Sequence, residues 1–233
     1  MNSNSINCLF VTGGAGFIGS AVIRELLRST TMLVVNIDSL TYAGNKDNLQ
    51  LIENYDNYSF IIDDICNRES LSKAIINFKP NIIIHFAAES HVDRSIKDPF
   101  KFIKTNVLGT SILLNESLQY YNSLLTQDRK QFKFIHISTD EVYGSIDDGS
   151  FTEECKYYPN SPYSASKASA DMIIRSFNKT YGLNTTTSIC SNNYGPYQNK
   201  EKFIPKLIDC LINNIGIAGP TGLIEKINSK DGC

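Results

Sequence analysis

A tyrosine and a lysine stand four residues apart in the segment Tyr163-Ser-Ala-Ser-Lys167. Ser161 is a good helix N-cap and Pro162 suits the first helical position, so a helix is predicted that carries both side chains on one face. A tyrosine with its ordinary pKa of ~10 is a poor base at neutral pH, but a neighbouring ammonium group favours the phenolate. The pair could therefore move a proton. The alternative is a half-buried surface pair without chemistry.

Glycines recur in the string VTGGAGFIGS, which follows the first apolar run of the chain. Gly13, Gly16 and Gly19 have the spacing GxxGxxG, which permits a tight turn and lets the backbone approach a pyrophosphate at a helix N-terminus. Asp38 ends the second apolar run, where a carboxylate binds an adenosine ribose and repels a 2′-phosphate. Together these residues predict a dinucleotide site that prefers NAD to NADP, whereas the glycines alone are equally compatible with a plain tight turn.

Two adjacent carboxylates, Asp140 and Glu141, follow Thr139 at the end of the fifth apolar run. Open α/β sheets bind their ligands at the carboxyl ends of the strands. In a cleft, two neighbouring like charges shift each other's proton affinity apart, which supplies one acid and one base. The alternative interpretation is a solvated acidic turn.

Six apolar runs alternate with helix-like segments, which is the βαβ rhythm of a parallel sheet. The runs are nearly continuous, as in IIIHFAA, so helices are expected to cover both faces of the sheet. The predicted fold class is α/β, with a doubly wound, mainly parallel sheet of the Rossmann type. The predicted strands are Leu9–Thr12, Met32–Ile37, Ser59–Ile62, Asn81–Phe86, Lys133–Ser138 and Thr185–Cys190, and the predicted helices are Gly16–Arg28, Arg68–Phe78, Pro99–Leu125, Pro162–Tyr181 and Lys202–Asn213.

The composition argues against several classes of function. Among 233 residues, 22 basic and 24 acidic side chains are interspersed with a net charge of −2, so neither nucleic acid nor an anionic membrane is an expected partner. No apolar run approaches the ~18 residues of a membrane span, and a cytoplasmic location is expected. The six cysteines and three histidines lack metal-ligand spacing. No metal is therefore expected, and His85 and His136 are assigned to the core.

Four motifs resemble, in order and spacing, the extended short-chain dehydrogenase/reductase family: TGGAGFIGS, HFAAESHVDRS, TNVLGT and YSASK. The resemblance covers about residues 6–213. Within it, STDEVYG and SNNYGPYQ are similar to the nucleotide-diphosphate-glucose 4,6-dehydratases, which implies dTDP-glucose as the substrate. Because the family's epimerases generally lack the carboxylate pair, Asp140 and Glu141 favour dehydration over epimerisation.

The resemblance implies a three-step reaction with NAD as the cofactor. Tyr163 would remove the C4 hydroxyl proton while the C4 hydride passes to NAD⁺, with Thr139 bonded to the C4 oxygen. Glu141 would then take the C5 proton and Asp140 would protonate the leaving C6 hydroxyl. Return of the hydride to C6 would give a 4-keto-6-deoxy sugar. Lys167 would hold both the phenolate and the nicotinamide ribose.

The remaining site residues are carried over by resemblance. The residues expected to line the cofactor are Gly13, Gly16, Phe17, Ile18, Gly19, Asp38, Leu40, Thr41, Asp64, Ile65, Phe86, Ala87, Ala88, Thr105, Tyr163, Lys167 and Asn193. The residues expected to bind the nucleotide-diphosphate sugar are Ser90, Thr139, Asn192 and Lys202. For Asp64, capping of the helix Arg68–Phe78 is a second interpretation.

From about Gly216 the chain departs from the family, because it lacks the expected glycine-containing strand and Arg-Asp motif, and no arginine follows Arg175. We therefore expect an NAD-binding and catalytic Rossmann domain at 1–200 and, at 201–233, a remnant of a truncated substrate-binding domain. Three alternatives stay open: a dehydratase that uses UDP-glucose, a sibling epimerase and a catalytically silent NAD-binding remnant.

A homodimer is also implied, because the family pairs its subunits through a bundle of two helices from each partner. In this chain the two helices would be Pro99–Leu125 and Pro162–Tyr181. Their apolar residues are expected to be too numerous for one face of the sheet to bury. Those residues include Leu113, Leu114, Leu118, Ile173 and Ile174.

Overall fold

The computed structural model describes residues 7–146 and 148–213. The chain divides into two compact units, with the boundary between Asn193 and Tyr194. Of the predicted C-terminal remnant, residues 214–233 lie outside the described part of the chain. The predicted domain boundary at residue 200 stays a prediction.

Six strands form a single parallel sheet in the order β3-β2-β1-β4-β5-β6. The strands are β1 (Cys8–Thr12), β2 (Leu33–Asp38), β3 (Tyr58–Ile62), β4 (Ile82–His85), β5 (Lys133–Thr139) and β6 (Thr185–Cys190). This confirms the predicted α/β fold. Because all the strands run in one direction, their carboxyl ends meet at one edge, and the order reverses between β1 and β4, which is where such sheets bind ligands.

Helices connect the strands of the first unit, and one helix lies in the second unit. They are α1 (Phe17–Ser29), α2 (Arg68–Phe78), α3 (Val92–Lys97), α4 (Pro99–Phe102), α5 (Thr110–Ser123), α6 (Thr126–Arg129), α7 (Pro162–Tyr181) and, in the second unit, α8 (Phe203–Ile212). Single 3-10 turns occupy Lys46–Leu49 and Asp140–Tyr143. Among the described residues, no helix is both long and apolar enough to cross a bilayer.

Each face of the sheet has its own apolar core, because successive residues of a strand point to opposite sides. Phe10 of β1 packs on one side with Leu71 of α2 and Ile174 of α7. Leu9 packs on the other side with Ile23 of α1. Burying a side chain of this size stabilises the fold by about 1.5–3 kcal/mol, so the two cores hold the strand ends in place.

Helix α7 begins and ends at the predicted residues. The Ser161 hydroxyl accepts a hydrogen bond from the Ser164 N–H at 3.0 Å, and the Ser164 hydroxyl accepts one from the Ser161 N–H at 3.0 Å. This capping box fixes the first turn of the helix. Gly182 ends the helix in the left-handed conformation, with a φ of 69°. Tyr163 and Lys167 therefore keep the predicted helical spacing.

The predicted helix Pro99–Leu125 is not uniform. A π-helical segment, Ile103–Gly109, separates α4 from α5, and α5 ends at Ser123. Each N–H of a π-helix reaches the carbonyl five residues earlier, so the segment accommodates an extra residue. Hydrophobic spacing alone does not show such an insertion.

The apolar residues that were expected to be surplus are buried inside the single chain. Leu113 and Leu114 are 0% exposed, Ile174 is 1% exposed, and Leu118 and Ile173 pack against the same core. For these five residues the expectation is wrong, because the core between the sheet and α2, α5 and α7 covers them, Leu118 and Ile173 in part. The same stretch of chain and α7 expose other apolar residues, namely Phe100, Ile103, Leu108 and Met172.

Candidate active site

The turn between β1 and α1 is one that only glycine can form. Gly13 has a φ of 72°, and its N–H donates to the Ile37 carbonyl at 2.8 Å. A Cβ on Gly13 would lie 2.5 Å from the backbone nitrogen of Ala87, and a Cβ on Gly19 would lie 2.4 Å from the Gly13 carbonyl oxygen. Both distances are too short for a side chain. The glycines therefore let the turn lie directly against the chain that leaves β4.

Asp38, at the end of β2, is tied to this turn. Its two carboxylate oxygens accept hydrogen bonds from the Ala15 N–H at 2.9 Å and from the Leu40 N–H at 2.8 Å. Leu40 has a left-handed φ of 51°, and Thr41 follows it. Burial raises the pKa of Asp38, and the two backbone hydrogen bonds oppose that rise. Each carboxylate oxygen keeps a further lone pair that could accept a hydroxyl proton.

The start of α1 fits an anion. Its N-cap residue, Gly16, supplies no side-chain hydrogen bond, and Phe17 and Ile18 form the first turn. The first N–H groups of a helix have no partner within the helix, and they bind phosphates readily. A Cβ on Gly16 would lie 3.2 Å from the Gly13 carbonyl oxygen, with little else nearby. A pyrophosphate can therefore approach the backbone here, and the residues present fit a dinucleotide cofactor.

The glycine turn at Gly13, Gly16 and Gly19 together with Asp38 is called the cradle below. The segment after β4 lies directly against it at Gly13. Phe86, Ala87 and Ala88 are half-buried and follow the strand directly. The Ala87 N–H donates to the Thr12 hydroxyl at 3.3 Å, which joins the ends of β1 and β4. Thr105 lies half-buried in the π-helical segment.

Asp64 and Ile65 follow β3, and Ile65 is buried in the core. The interpretation of Asp64 as the cap of α2 is wrong. Asn67 is the N-cap, and its side chain accepts a hydrogen bond from the Ser70 N–H at 3.3 Å. The Asp64 carboxylate instead accepts one from the Cys66 N–H at 2.9 Å, because it lies three residues too early to reach the helix.

The carboxylate pair lies at the carboxyl end of β5, in the 3-10 turn Asp140–Tyr143. Thr139 caps the turn, since its hydroxyl accepts a hydrogen bond from the Glu141 N–H at 3.3 Å and donates to the Asp140 carboxylate at 3.4 Å. Asp140 is half-buried, whereas Glu141 is exposed. The two carboxylates therefore occupy different surroundings, which is a condition for dividing acid and base roles.

Tyr163 and Lys167 are both buried, with exposed fractions of 8% and 4%. Burial raises the pKa of Tyr163 above its ordinary value, the charges of Glu141 and Asp140 raise it further, and a hydrogen bond with Thr139 opposes them. The structure thus brings the predicted catalytic residues together. Because burial and the carboxylates hold the phenol in its protonated form, its ionisation needs positive charge close by.

The positive group expected to assist Tyr163 is the Lys167 ammonium, which lies one turn further along α7. Burial lowers the pKa of Lys167 to about 8, and the carboxylate of Asp171 opposes this effect. The ammonium group donates a hydrogen bond to the Ile137 carbonyl at 2.7 Å. This bond holds the Lys167 side chain at Ile137 of β5, which directly precedes Ser138 and lies two residues before Thr139.

The residues expected to bind substrate lie in two separate parts of the chain. Ser90 follows β4 and hydrogen-bonds Tyr42. Asn192 is exposed after β6. Its neighbour Asn193, which was expected to contact the cofactor, is also exposed, and its side chain donates to the Ser191 carbonyl at 2.9 Å. Lys202 belongs to the second unit, where it is the residue before α8.

Two buried asparagines support the site and were missed by sequence reasoning. Asn36 of β2 accepts a hydrogen bond from the Gly14 N–H at 3.0 Å. Asn106 exchanges two hydrogen bonds with the backbone of Glu89, at 2.8 and 3.0 Å, and donates to the Ser166 hydroxyl at 2.8 Å. For Asn36 the signal was a polar residue inside an apolar run, because a buried amide must find partners. Asn106 follows Lys104 and Thr105 and carried no such signal.

Two further residues whose place at the site was missed lie close to the Lys167 ammonium group. His136 and Asp171 are buried polar side chains close to its ammonium group. The signal for Asp171 was its position four residues after Lys167 on one helix. Within the described residues, no three His, Cys, Asp or Glu side chains are grouped as metal ligands.

Comparison with known proteins shows the family. The family model described as GDP-mannose 4,6 dehydratase matches residues 10–224. The chain is 51% identical over 211 residues to dTDP-glucose 4,6-dehydratase of Escherichia coli, an alignment that covers 86% of this chain and 58% of that protein. It is 50% identical over 202 residues to the dTDP-glucose 4,6-dehydratase of Neisseria meningitidis, with 86% and 57% covered. The chain thus spans less than two thirds of the length of these curated relatives.

Solved structures agree with that match. A dTDP-glucose 4,6-dehydratase from Streptomyces venezuelae, crystallised with NAD, superposes with a TM-score of 0.82 at 44% identity, covering 89% of this chain and 62% of that one. A UDP-glucose 4-epimerase from Thermotoga maritima superposes with a TM-score of 0.79 at 29% identity, covering 91% and 66%. The resemblance inferred from the motifs is confirmed, and the chain belongs to the GDP-mannose 4,6 dehydratase family.

Proposed function

We propose that this chain carries the NAD-dependent chemistry of a nucleotide-diphosphate-glucose 4,6-dehydratase, with dTDP-glucose as the substrate. One observation carries the proposal. The 3-10 turn Asp140–Tyr143 holds two carboxylates close enough to Tyr163 for both charges to act on its phenol. A reaction that only inverts C4 has no use for such a pair, whereas loss of water needs one acid and one base.

The cradle formed by Gly13, Gly16, Gly19 and Asp38 would hold the cofactor. When bound, NAD would accept the hydride from C4 of the sugar and return one to C6. Asp38 would accept hydrogen bonds from the adenosine ribose, and its charge would disfavour a 2′-phosphate. The backbone groups of Phe17 and Ile18 would face the pyrophosphate.

Tyr163 would take the proton of the C4 hydroxyl in the oxidation step. The phenol is protonated while its surroundings are negative, so the Lys167 ammonium and the positive charge of the bound cofactor would supply the needed shift. Thr139, which shares a hydrogen bond with Tyr163, would bond the same C4 oxygen. Holding these groups in the correct geometry lowers the activation free energy of such a step by several kcal/mol.

The carboxylates would act in the elimination step. A ketone at C4 acidifies the C5 proton, and Glu141, which is exposed at the sheet edge, would remove it. The C5–H electron pair would form the C5–C6 double bond as the C6–O bond breaks. Asp140, half-buried and bonded to Thr139, would give its proton to the leaving oxygen, so that one water molecule departs. As the hydride returns to C6, Glu141 would give a proton back to C5, which completes the 4-keto-6-deoxy sugar.

Substrate identity is supported by the relatives near 50% identity, which are dTDP-glucose 4,6-dehydratases. Ser90 would contact the sugar, and Asn192 would contact the nucleotide diphosphate. The assignment of Lys202, which lies in the second unit, rests on the family resemblance alone. A lysine attracts phosphate as a point charge and cannot form the two parallel bonds of an arginine.

The direct test is to incubate the full chain with NAD⁺ and either dTDP-glucose or UDP-glucose, followed by mass spectrometry and a carbonyl assay. We expect loss of one water molecule and a 4-keto product from dTDP-glucose. A product epimerised at C4 without loss of water would refute the proposal in favour of an epimerase. No product from either sugar, together with intact NAD binding, would support a catalytically silent protein.

We also propose that two copies associate through the helices that carry Phe100, Ile103, Leu108 and Met172. These side chains are 79%, 51%, 51% and 50% exposed, and an apolar surface on two neighbouring helices is typical of a helical dimer interface. Sedimentation should give twice the chain mass, and Leu108→Glu should halve it. Leu51→Glu, which changes an exposed leucine elsewhere, should leave the dimer intact. A monomer at micromolar concentration would contradict this proposal.

A further inference from the structure

A buried polar cluster lies behind the ammonium group of Lys167. His136 Nε2 lies 3.2 Å from Lys167 Nζ and also 3.2 Å from Asp171 Oδ1. Lys167 and Asp171 are four residues apart on α7 and therefore share one face of the helix. The three side chains are 4%, 1% and 4% exposed in the order Lys167, His136, Asp171. The imidazole thus stands between a buried cation and a buried anion.

The Asp171 carboxylate is held firmly by neutral groups. Its Oδ2 atom accepts hydrogen bonds from the Ser138 hydroxyl at 2.7 Å and from the Tyr157 hydroxyl at 3.1 Å. Neither donor carries a charge, so neither balances the negative charge of the carboxylate. The Oδ1 atom faces His136 and makes no hydrogen bond of good geometry. A fixed carboxylate with one oxygen directed at the lysine side of the cluster supplies negative potential there.

The imidazole can serve only one neighbour at a time. Burial keeps the pKa of His136 well below its usual range, and the charge of Lys167 adds to this, so His136 is neutral. A neutral ring has one N–H and one acceptor nitrogen. Nε2 can accept a hydrogen bond from the Lys167 ammonium or donate one to Asp171, but it cannot do both. In either tautomer His136 therefore bonds only one of the two charged groups, and it adds no charge of its own.

The other titratable groups near the ammonium are accounted for. His85 of β4 is bonded to the Thr12 and Thr110 hydroxyls at 2.7 and 2.9 Å, and burial holds its pKa well below its usual range. Cys190 of β6 favours the charged form of Lys167 less strongly than Asp171 does. The pKa of Tyr163, on the preceding turn of α7, is raised by burial, which favours the uncharged phenol.

We propose that Asp171, held by Ser138 and Tyr157 on the face of α7 that carries Lys167, is the positioning residue that keeps the Lys167 ammonium charged in its buried site. The inference rests on the proposed function in one respect, because that charge matters only if Lys167 assists Tyr163. Asp171 itself touches neither the reacting atoms nor the cofactor in this scheme. It acts through the lysine.

The test is an NMR titration of the cofactor-free protein labelled with ¹³C at lysine Cε, with Lys167→Met used to assign the signal. Wild-type Lys167 should titrate near pH 8, as its pKa of about 8 indicates. Asp171→Asn should lower that midpoint by about one pH unit or more, because a nearby opposite charge is lost. Should this variant fail to fold, Asp171→Ser removes the same charge with less bulk and is judged by the same criterion.

A matched control is available in Glu116 of α5. It is as buried as Asp171, at 4% exposed, but it pairs with Arg68 at 2.7 Å. Glu116→Gln should reduce stability and leave the Lys167 midpoint unchanged. An unchanged midpoint in folded Asp171→Asn or Asp171→Ser would overturn the inference.

Turnover separates this inference from the proposed function. If the wild type dehydrates dTDP-glucose, Asp171→Asn should move the alkaline limb of its kcat profile to lower pH, because the ammonium form is lost earlier. An unmoved limb would overturn the inference while leaving the dehydratase intact. If the wild type shows no dehydration, the proposed function fails, and the NMR midpoint still decides whether Asp171 controls the charge of Lys167.

Discussion

The cradle between β1 and β2 and the catalytic group between β5 and α7 are built from different atoms. In the cradle, backbone N–H groups make the decisive contacts, as where the Ala15 and Leu40 N–H groups bond Asp38. In the catalytic group, buried side chains with opposed charges make them, as where Lys167 and Asp171 face His136. The first region depends on shape, and the second depends on charge.

This difference predicts opposite sensitivities. A small added volume should damage the cradle, since a Cβ at Gly13 would overlap the chain at Ala87. A substitution within the catalytic group that keeps the volume and removes a proton or a charge should disable that group and leave the cradle unaffected. Added volume in the cradle should therefore impair NAD⁺ binding. Loss of a proton or a charge in the catalytic group should impair turnover without affecting NAD⁺ binding.

The largest effect is expected for Tyr163→Phe, which keeps the ring and removes the hydroxyl. Turnover should fall by about 10³–10⁴-fold, as is usual when a general base is lost. Calorimetric NAD⁺ affinity should stay within about twofold of wild type, because the proposed cradle contacts are made elsewhere. Loss of NAD⁺ binding together with turnover would show that the two regions are not independent.

Changes at the carboxylates should divide the catalytic group further. Asp140→Asn should slow loss of water by about 10²-fold. Glu141→Gln should slow exchange of the C5 proton with solvent by a similar factor. Both residues act after oxidation, so NADH formation in a single turnover should persist in each variant. Stopped-flow absorbance and exchange in deuterium oxide measure the two steps. If both variants lost hydride transfer as severely as Tyr163→Phe, the proposed division of roles would be wrong.

In the cradle, Gly13→Ala should lower the free energy of unfolding by about 2 kcal/mol and weaken NAD⁺ binding, because it adds an overlap to an unfavourable φ. Gly182→Ala is the matched control. Its φ of 69° is nearly that of Gly13, yet a Cβ there meets nothing within 4 Å. The control should cost only about 1 kcal/mol and leave NAD⁺ affinity unchanged. Urea denaturation and calorimetry measure both, and equal effects would remove the argument from close packing.

The smallest effect is expected for the cofactor preference. Asp38→Ala should reduce the preference for NAD over NADP by about tenfold, since the repelling charge and a ribose acceptor are lost. Asn36→Ala loosens the same turn at the Gly14 N–H without changing any charge, so it should weaken both cofactors alike. Equal affinity of the wild type for both cofactors would refute the role of Asp38.

The sequence was most informative where local rules decide the structure. Ser161, Pro162 and Gly182 set the bounds of α7, because capping chemistry acts within a few residues. The strands were found within one or two residues of their ends for the same reason, since each is a buried apolar run. The order of the strands was not predicted, because it depends on pairing between strands that are distant in the sequence.

What the sequence did not show depends on contacts between distant residues. His136 was correctly placed in the core, but its position beside Lys167 and Asp171 needs β5 to pack against α7. The interpretation of Asp64 as the cap of α2 was instead a local error, because the helix was predicted to begin at Arg68 and Asn67 is the residue directly before it. The apolar residues of α5 were misjudged because α2 helps to cover them, which spacing along one helix cannot show.

The π-helical segment Ile103–Gly109 also sets how far the residues after it are rotated about the helix axis relative to the residues before it. Phe102, just before it, packs edge-on against the ring of Tyr163 with the centroids 6.2 Å apart, whereas Leu113, after it, packs in the core under the sheet. One residue of an α-helix corresponds to a rotation of about 100°. Deleting a single residue from the segment would turn one of these faces away from its partner. The extra residue therefore acts as an angular spacer that lets one continuous piece of chain serve both the active site and the core.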